Sequence, residues 1–288
     1  MSKLTIFTPA YNRAGMLRRL YESLTQQTNK DFEWLIVDDG SEDSTKELIN
    51  ELSKESAFPI HYMWQKNGGK MRAHNAGVQL ANTELFVCLD SDDHFTKTAV
   101  DDILKTWEKY GDDDKLAGII AYKGESEEAV LYGSTFPDTE RSTLRGLYLM
   151  GFKGETTLVF RTGVIREFLF PDIPGEKYVP EDYTYDQIDE EYDYYVLPKI
   201  LTVCELVSEG YTDRVEQLRR ENPTAWYLYY EQRARLKSSL TLKIKYISHY
   251  LRFRKLARKD YRKRHQLPFY MEILGIPGAV ILSIKGKL

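Results

Sequence analysis

The chain has 288 residues and a mass of 33.6 kDa, enough for one large domain or two modest ones, which excludes a peptide-sized binding motif. Apolar residues make up 42% and charged residues 29%, with only ten prolines, so wholesale disorder is excluded as well. The net charge of −4 hides a division: residues 237–288 hold 13 Lys and Arg against two acids, net +11, and the residues before them hold 27 against 42, net −15. This is an acidic body with a basic tail suited to an anionic surface.

No stretch approaches the roughly 18 apolar residues of a spanning helix, and MSKLTIFTPAYNRAG has no long apolar leader, so the expected location is cytoplasmic. Cys88 and Cys204 sit in the apolar runs LFVCLD and LTVCELV without a CxxC partner. They read as small core residues, and a zinc module or disulfide scaffold is ruled out.

In chain order, Leu4 to Phe7 reads as a strand, TPAYNR as a loop, and Met16, Leu17, Leu20 and Leu24 as one apolar helix face. Trp34 to Val37 is a second strand running into DDGS, after which Ser44 and Glu47 form a capping box for a helix carrying Leu48, Ile49 and Leu52. Ile60 to Gln65 is a third strand, Met71 to Leu80 a third helix, and Leu85 to Leu89 a fourth strand ending in Asp90-Ser91-Asp92-Asp93. Strands alternating with helices predict an α/β fold with a mostly parallel sheet. Ligands bind at the carboxyl ends of such strands, so TPAYNR, DDGS and DSDD are expected to converge on one crevice.

Beyond Ala121 the pattern loosens. Thr157 to Phe160 is a short strand, and Tyr178 to Tyr195 is an acidic, Tyr-rich stretch containing PED and a helix. No Pro- or Gly-rich linker divides the chain, so we expect one α/β domain over residues 1–236 and a helical basic tail over 237–288. The tail turns apolar from Met271 to Ile284, where Gly275, Pro277 and Gly278 are expected to interrupt any long helix.

LFVCLDSDD carries the strongest chemical signal. Asp90 and Asp92, with Asp93 following, gather negative charge that a bound cation would relieve, and hard oxygen ligands favour magnesium or manganese over zinc. The competing reading is a solvated acidic loop, with Asp93 or Thr96 capping the helix of Val100, Ile103, Leu104 and Trp107. Tyr11 can stack on a base, Asp39 can accept from a uracil ring N–H, and Arg13 or Arg72 can meet phosphate or base oxygens. Gly68-Gly69-Lys70 lacks the rest of GxxxxGK[ST], and GxGxxG is absent, which rejects a Walker site and a dinucleotide oxidoreductase.

PAYNR, VDDGS, KNGGK with HNAGV, LDSDD and PED, in that order over residues 1 to 215, resemble the bacterial inverting glycosyltransferases of family 2 with the GT-A fold. The resemblance implies a Rossmann-like nucleotide-diphospho-sugar transferase. In it Asp90 and Asp92 stand as the DXD motif holding Mn²⁺ or Mg²⁺ on the donor diphosphate, and Asp182 as the catalytic base with Glu181 beside it. Thr8, Pro9, Tyr11, Asp39 and Arg72 match nucleoside-contacting positions, with a UDP-sugar as the implied donor, and Ser91 lies near the ribose. Glu209 to Thr212 resembles the segment that closes over the diphosphate. The processive QxxRW signature is absent, so transfer of a single sugar to a glycan or lipid-linked acceptor is the implied activity.

In the tail, Tyr246, Tyr250, Phe253, Ala257 and Tyr261 fall at helical spacing, with Lys245, Arg252, Lys255, Lys259 and Arg262 mainly across from them. Such a helix suits an anionic membrane surface, which would make the protein peripheral on the inner face of the cell membrane. The competing reading packs the helix on the body with its charges solvated. His249 and His265 read as surface residues. No nucleic-acid partner is expected, because no recognition motif accompanies the tail and the acidic body repels a polyanion. A homo-oligomer is left open. Rival functions are a sugar-nucleotide pyrophosphorylase, which wants a Gly- and Lys-rich first loop, a phosphatase, whose acids would follow the first strand, and a membrane- or nucleic-acid-binding adaptor.

Overall fold

The computed structural model describes residues 2–204 and 214–284. The chain forms two compact units, one of Met1–Leu169 with Thr184–Val207 and one of Phe170–Tyr183 with Ser208–Leu288.

The first unit is an α/β sandwich. Its elements run β1 (Leu4–Ala10), α1 (Ala14–Thr25), β2 (Phe32–Asp38), α2 (Thr45–Glu55), β3 (Ile60–Trp64), α3 (Lys70–Leu80), β4 (Leu85–Cys88), β5 (His94–Phe95) and α4 (Ala99–Tyr110). There follow β6 (Leu116–Gly124), β7 (Arg141–Ser142), α5 (Leu144–Leu149), β8 (Thr156–Arg161), α6 (Thr162–Glu167), α7 (Asp182–Ile188), whose first two residues belong to the second unit, and β9 (Asp193–Val203). The sheet order is β3-β2-β1-β4-β8-β6-β9-β5, with β7 on β9. Strands β1 to β4 pair in parallel, as their alternation with helices requires, whereas β8 runs antiparallel to both β4 and β6.

The pleat sorts β1 onto two cores. Leu4, Ile6 and Ala10 join Leu17, Leu20, Trp34 and Ile103 on one side, and Phe7 joins Val37, Ala73, Phe86 and Ile120 on the other. Thr8 follows the Leu4 side, fully buried, its hydroxyl accepting from Trp34 Nε1 at 3.0 Å. Gly77 lets α3 lie against β1, since a Cβ there would come within 2.4 Å of the Phe7 ring.

The Ser44 capping box does not form. Ser44 holds the N-cap position without a side-chain bond, and Asp43 instead accepts from Thr45 N at 3.0 Å and Thr45 Oγ1 at 2.6 Å. Thr98, rather than Asp93 or Thr96, precedes α4, because Asp93 is consumed by an ion pair described below.

The second unit is built on α8 (Val215–Glu221), α9 (Pro223–Arg235), α10 (Leu240–Arg254), α11 (Lys259–Arg264) and α12 (Phe269–Ile284). The start of α9 is held by the 170–183 segment: Glu176 accepts from the N–H groups of Thr224 and Ala225 at 2.8 Å each, and Asn222 Oδ1 from those of Lys177 and Tyr178. The Thr224 and Ala225 N–H groups are the unpaired donors every helix start presents, satisfied here from outside the helix.

Three expectations for the tail are corrected. The boundary after residue 236 falls inside this unit, because the aromatic stripe packs on α9: Tyr250 stacks on Tyr227 with centroids 5.0 Å apart, and Phe253 lies 5.7 Å from Tyr230 and 6.3 Å from Trp226. Tyr250, Phe253 and Ala257 are buried, so they present no lipid-facing stripe. Nor do Gly275, Pro277 and Gly278 break the last helix, which runs 16 residues through them. The glycines serve close approach instead, since a Cβ on Gly275 would come within 2.4 Å of Ile247 and one on Gly278 within 2.3 Å of the Ser248 hydroxyl. No helix among the described residues is long and apolar enough to cross a membrane.

Candidate active site

Four loops meet at the carboxyl edge of β1 to β4. After β1, Asn12 adopts the left-handed conformation, φ 53°. From there its N–H donates to Ser41 Oγ at 2.8 Å and its Oδ1 accepts from Glu42 N at 2.9 Å. Ala14 N donates to Asp43 Oδ2 at 3.2 Å. PAYNR and DDGS are therefore stitched together, as the sequence predicts.

Asp39 ties the second loop to the third. Its Oδ1 accepts from Gln65 Nε2 at 2.7 Å and Gly68 N at 2.8 Å, and its Oδ2 from Gly69 N at 2.7 Å. Three donors on a carboxylate with about four acceptor positions leave room for one ligand N–H. Gly40 makes the approach possible at φ 89°, where a Cβ would meet Asn67 N at 2.8 Å. Asp38, fully buried beside it, accepts from Ser41 N at 2.7 Å and Tyr62 OH at 2.6 Å.

The third loop meets the fourth through Lys70. Its ammonium lies 2.9 Å from Oδ1 and 3.0 Å from Oδ2 of Asp90. Burial works against the charged Asp90, but Lys70 and Lys123 outweigh it and hold the carboxyl below the usual range. Asp93 is buried and pairs with Lys123 of β6 at 3.1 Å, with Cys204 Sγ 3.6 Å away. Burial, with Asp90 and Asp92 nearby, pushes Asp93 upward despite Lys123. The acids around Lys123 overcome its own burial and raise it, Asp93 first among them. Arg19 donates to the Asp92 carbonyl at 3.1 Å, bringing α1 to the same loop.

Of the residues singled out in the sequence, Tyr11 and Arg13 are exposed at this edge, Pro9 and Arg72 half-buried, and Ser91 buried. Arg72 donates to the Gly68 carbonyl at 2.5 Å, shaping the glycine loop. Thr8 faces the core, and its side chain is committed to Trp34. Asp90 and Asp92 lie together on one loop, but the described residues contain no ready cluster of three or more His, Cys, Asp or Glu for a metal. Two carboxylates fit a magnesium- or manganese-type ion when phosphate oxygens complete its shell. Lys123 escaped the sequence reading, and Lys70 entered it only within the rejected phosphate loop. The signal was a lysine directly after two glycines, and another ending the apolar run LAGIIAYKG, where only a paired lysine is stable.

Asp182 begins α7 and belongs to the second unit, where Arg233 Nη2 lies 2.9 Å and Tyr229 OH 3.5 Å from its Oδ2. Tyr229 and Arg233 are one turn apart on α9, hence on one face. Half of the Asp182 side-chain surface is open, yet the protein around it strips enough water to push its carboxyl up. Arg233 pulls against this and Glu181 adds repulsion, with a net rise. Glu181 is exposed, and Glu209 to Thr212 lies outside the described residues.

The sequence profile of Glycosyl transferase family 2 matches residues 5–169. An uncharacterized glycosyltransferase of Rickettsia felis is 38% identical over 108 residues, covering 38% of this chain and 18% of its own length, so the chain spans less than a fifth of that relative. Among solved structures, S. aureus TarS 1-349 in complex with UDP-GlcNAc superposes with a TM-score of 0.64 at 17% identity, covering 96% of this chain and 79% of that one. Mannosyltransferase PcManGT from Pyrobaculum calidifontis, in complex with GDP-Man and Mn2+, gives 0.57 at 16% identity, covering 96% and 86%. At these identities the likeness speaks for the fold.

Proposed function

Because the chain belongs to glycosyl transferase family 2, we propose that it moves one sugar from a nucleotide-diphosphate donor, a UDP-sugar, to a hydroxyl of a glycan or lipid-linked acceptor with inversion. The setting is the synthesis of cell-surface polysaccharide or glycoconjugate on the cytoplasmic face of the membrane. The observation that carries this reading is the junction of four loops around Asp39, Lys70 and Asp90. It combines an acceptor for a base, an exposed ring in Tyr11 and a cation beside paired acids.

Displacing a nucleoside diphosphate builds negative charge on the leaving phosphate. A divalent cation, when held by Asp90 and Asp92, supplies Lewis-acid stabilisation of that charge. Lys70 already holds Asp90 ionised and offers its own positive charge at the same edge. Asp182 takes the proton of the acceptor hydroxyl as its oxygen bonds to the anomeric carbon; the bond to the diphosphate breaks, and its electron pair leaves with UDP. A positioned base of this kind contributes about 10²–10⁴-fold. The raised Asp182 carboxyl is a better proton acceptor than an ordinary one, and Arg233 keeps it oriented.

A panel of nucleotide sugars with Mn²⁺, read by release of free nucleotide, tests the reading. Release from at least one UDP-sugar is expected, and silence across UDP-, GDP- and dTDP-sugars contradicts it.

A further inference from the structure

Helix α12 presents a broad face that no described residue covers. Phe269, Tyr270, Ile273, Leu274, Ile276 and Val280 are each 46–76% exposed. At 100° per residue they fall on one arc, away from Gly275 and Gly278, which abut Ile247 and Ser248 of α10. The one charge between Phe269 and Val280 is Glu272, turned aside into an ion pair with Arg254 at 2.5 Å. An exposed apolar surface of this extent marks an interaction site.

What lies beside it selects the partner. Near the Phe269 end is a cavity of about 560 Å³ whose lining includes Arg254, Lys259, Arg262, Lys263, Phe269 and Glu272. From Arg252 to Arg264 the chain carries eight Lys and Arg against Asp260 alone. Lys255, Lys259, Lys263 and Arg264 are exposed and enter no ion pair among the described residues. The helix is 16 residues long and too short to span a bilayer. An apolar arc ending in a cationic pocket matches the boundary between acyl chains and anionic headgroups.

We propose that α12 lies in the plane of an anionic membrane, with the Phe269–Val280 face in the acyl boundary and Arg254, Lys259, Arg262 and Lys263 on lipid phosphates. This rests on the membrane-face reading above and assigns it a surface, in place of the buried Tyr250 and Phe253 stripe. A second copy is the poorer occupant, since two-fold pairing across this face would bring two strongly cationic segments together.

Flotation of the full chain with phosphatidylglycerol-rich and pure phosphatidylcholine vesicles tests it, with far-UV circular dichroism as the folding control. The expected result is binding to the anionic vesicles that weakens with salt and is lost on phosphatidylcholine. Ile273→Asp with Ile276→Asp, both at exposed positions, should lower the affinity at least about tenfold, as should Lys259→Glu with Lys263→Glu. If the unaltered protein ignores anionic vesicles at low salt, the membrane-face reading itself fails. If it binds and both variants bind equally well, that reading stands and the assignment to α12 is overturned. A dimer in sedimentation velocity that Ile273→Asp with Ile276→Asp dissolves, in a protein that does not float, would give the face to a second copy.

Discussion

The Lys70 ammonium sits astride the Asp90 carboxylate, 2.9 and 3.0 Å from its two oxygens. The first acid of the DSDD loop is thus held ionised by the residue that follows the Gly68-Gly69 turn. Lys70→Met should move the Asp90 titration up toward the usual carboxylate range, seen by carbonyl NMR. A lowered folded value means that this ion pair adds stability above the unfolded carboxyl value of about 3.9, lost as pH falls through the folded value. The variant should lose that acid-side dependence and bind UDP more weakly, about tenfold or more, as removal of a charge-assisted partner implies.

Asp92→Asn should fold normally, since its side chain is only partly buried, and should lose the Mn²⁺ enhancement of nucleotide binding. Binding of UDP that responds to Mn²⁺ as strongly as in the parent protein would remove Asp92 from the metal site.

Asp182→Asn keeps the shape of the side chain but not its basicity, so turnover should fall about 10²–10⁴-fold with UDP binding preserved. Glu181→Gln should be milder. In the parent protein the acid limb of kcat should lie above the ordinary Asp range, because Asp182 is raised and only its ionised form accepts a proton. Near-normal turnover by Asp182→Asn would send the search for a base to Asp186 or Glu155.

His249 stacks on Tyr230 at 4.7 Å, and burial, with Arg219, Arg252 and Lys245 nearby, lowers its pKa to about 4. The unfolded chain takes up this proton near 6.5 and the folded chain only near 4, so the stabilisation is complete above pH 6.5 and lost as pH falls between these values. Solvent at the partly exposed ring screens the nearby cations, so the loss is smaller than the full shift implies. Urea melts at pH 7 and pH 5 should show it, and His249→Phe should flatten the difference.

The parallel half of the sheet was legible because short apolar runs and a 3.6-residue apolar period are local signals: Leu4 to Phe7 carries the first and Leu17 to Leu24 the second. What decided Thr8, Asp39 and Asp93 was not local. Thr8 turned to the core because the pleat points it at Trp34, Asp39 became the anchor of the glycine loop, and Asp93 met a lysine 30 residues away in β6. The tail misled for a similar reason. A stripe of Tyr250, Phe253 and Ala257 suits lipid or a protein core equally, and the complementary face, Trp226 to Tyr230, lies on α9. The last helix runs through Gly275 and Gly278 because glycine also permits close helix contact, which hydropathy and propensity do not record.

The most direct test of the account is calorimetric titration of the full chain with UDP, with and without Mn²⁺. UDP should bind, Mn²⁺ should tighten it about tenfold or more through Asp90 and Asp92, and EDTA should reverse the gain. No UDP binding in either condition would contradict it and leave the acids at this edge as surface charge.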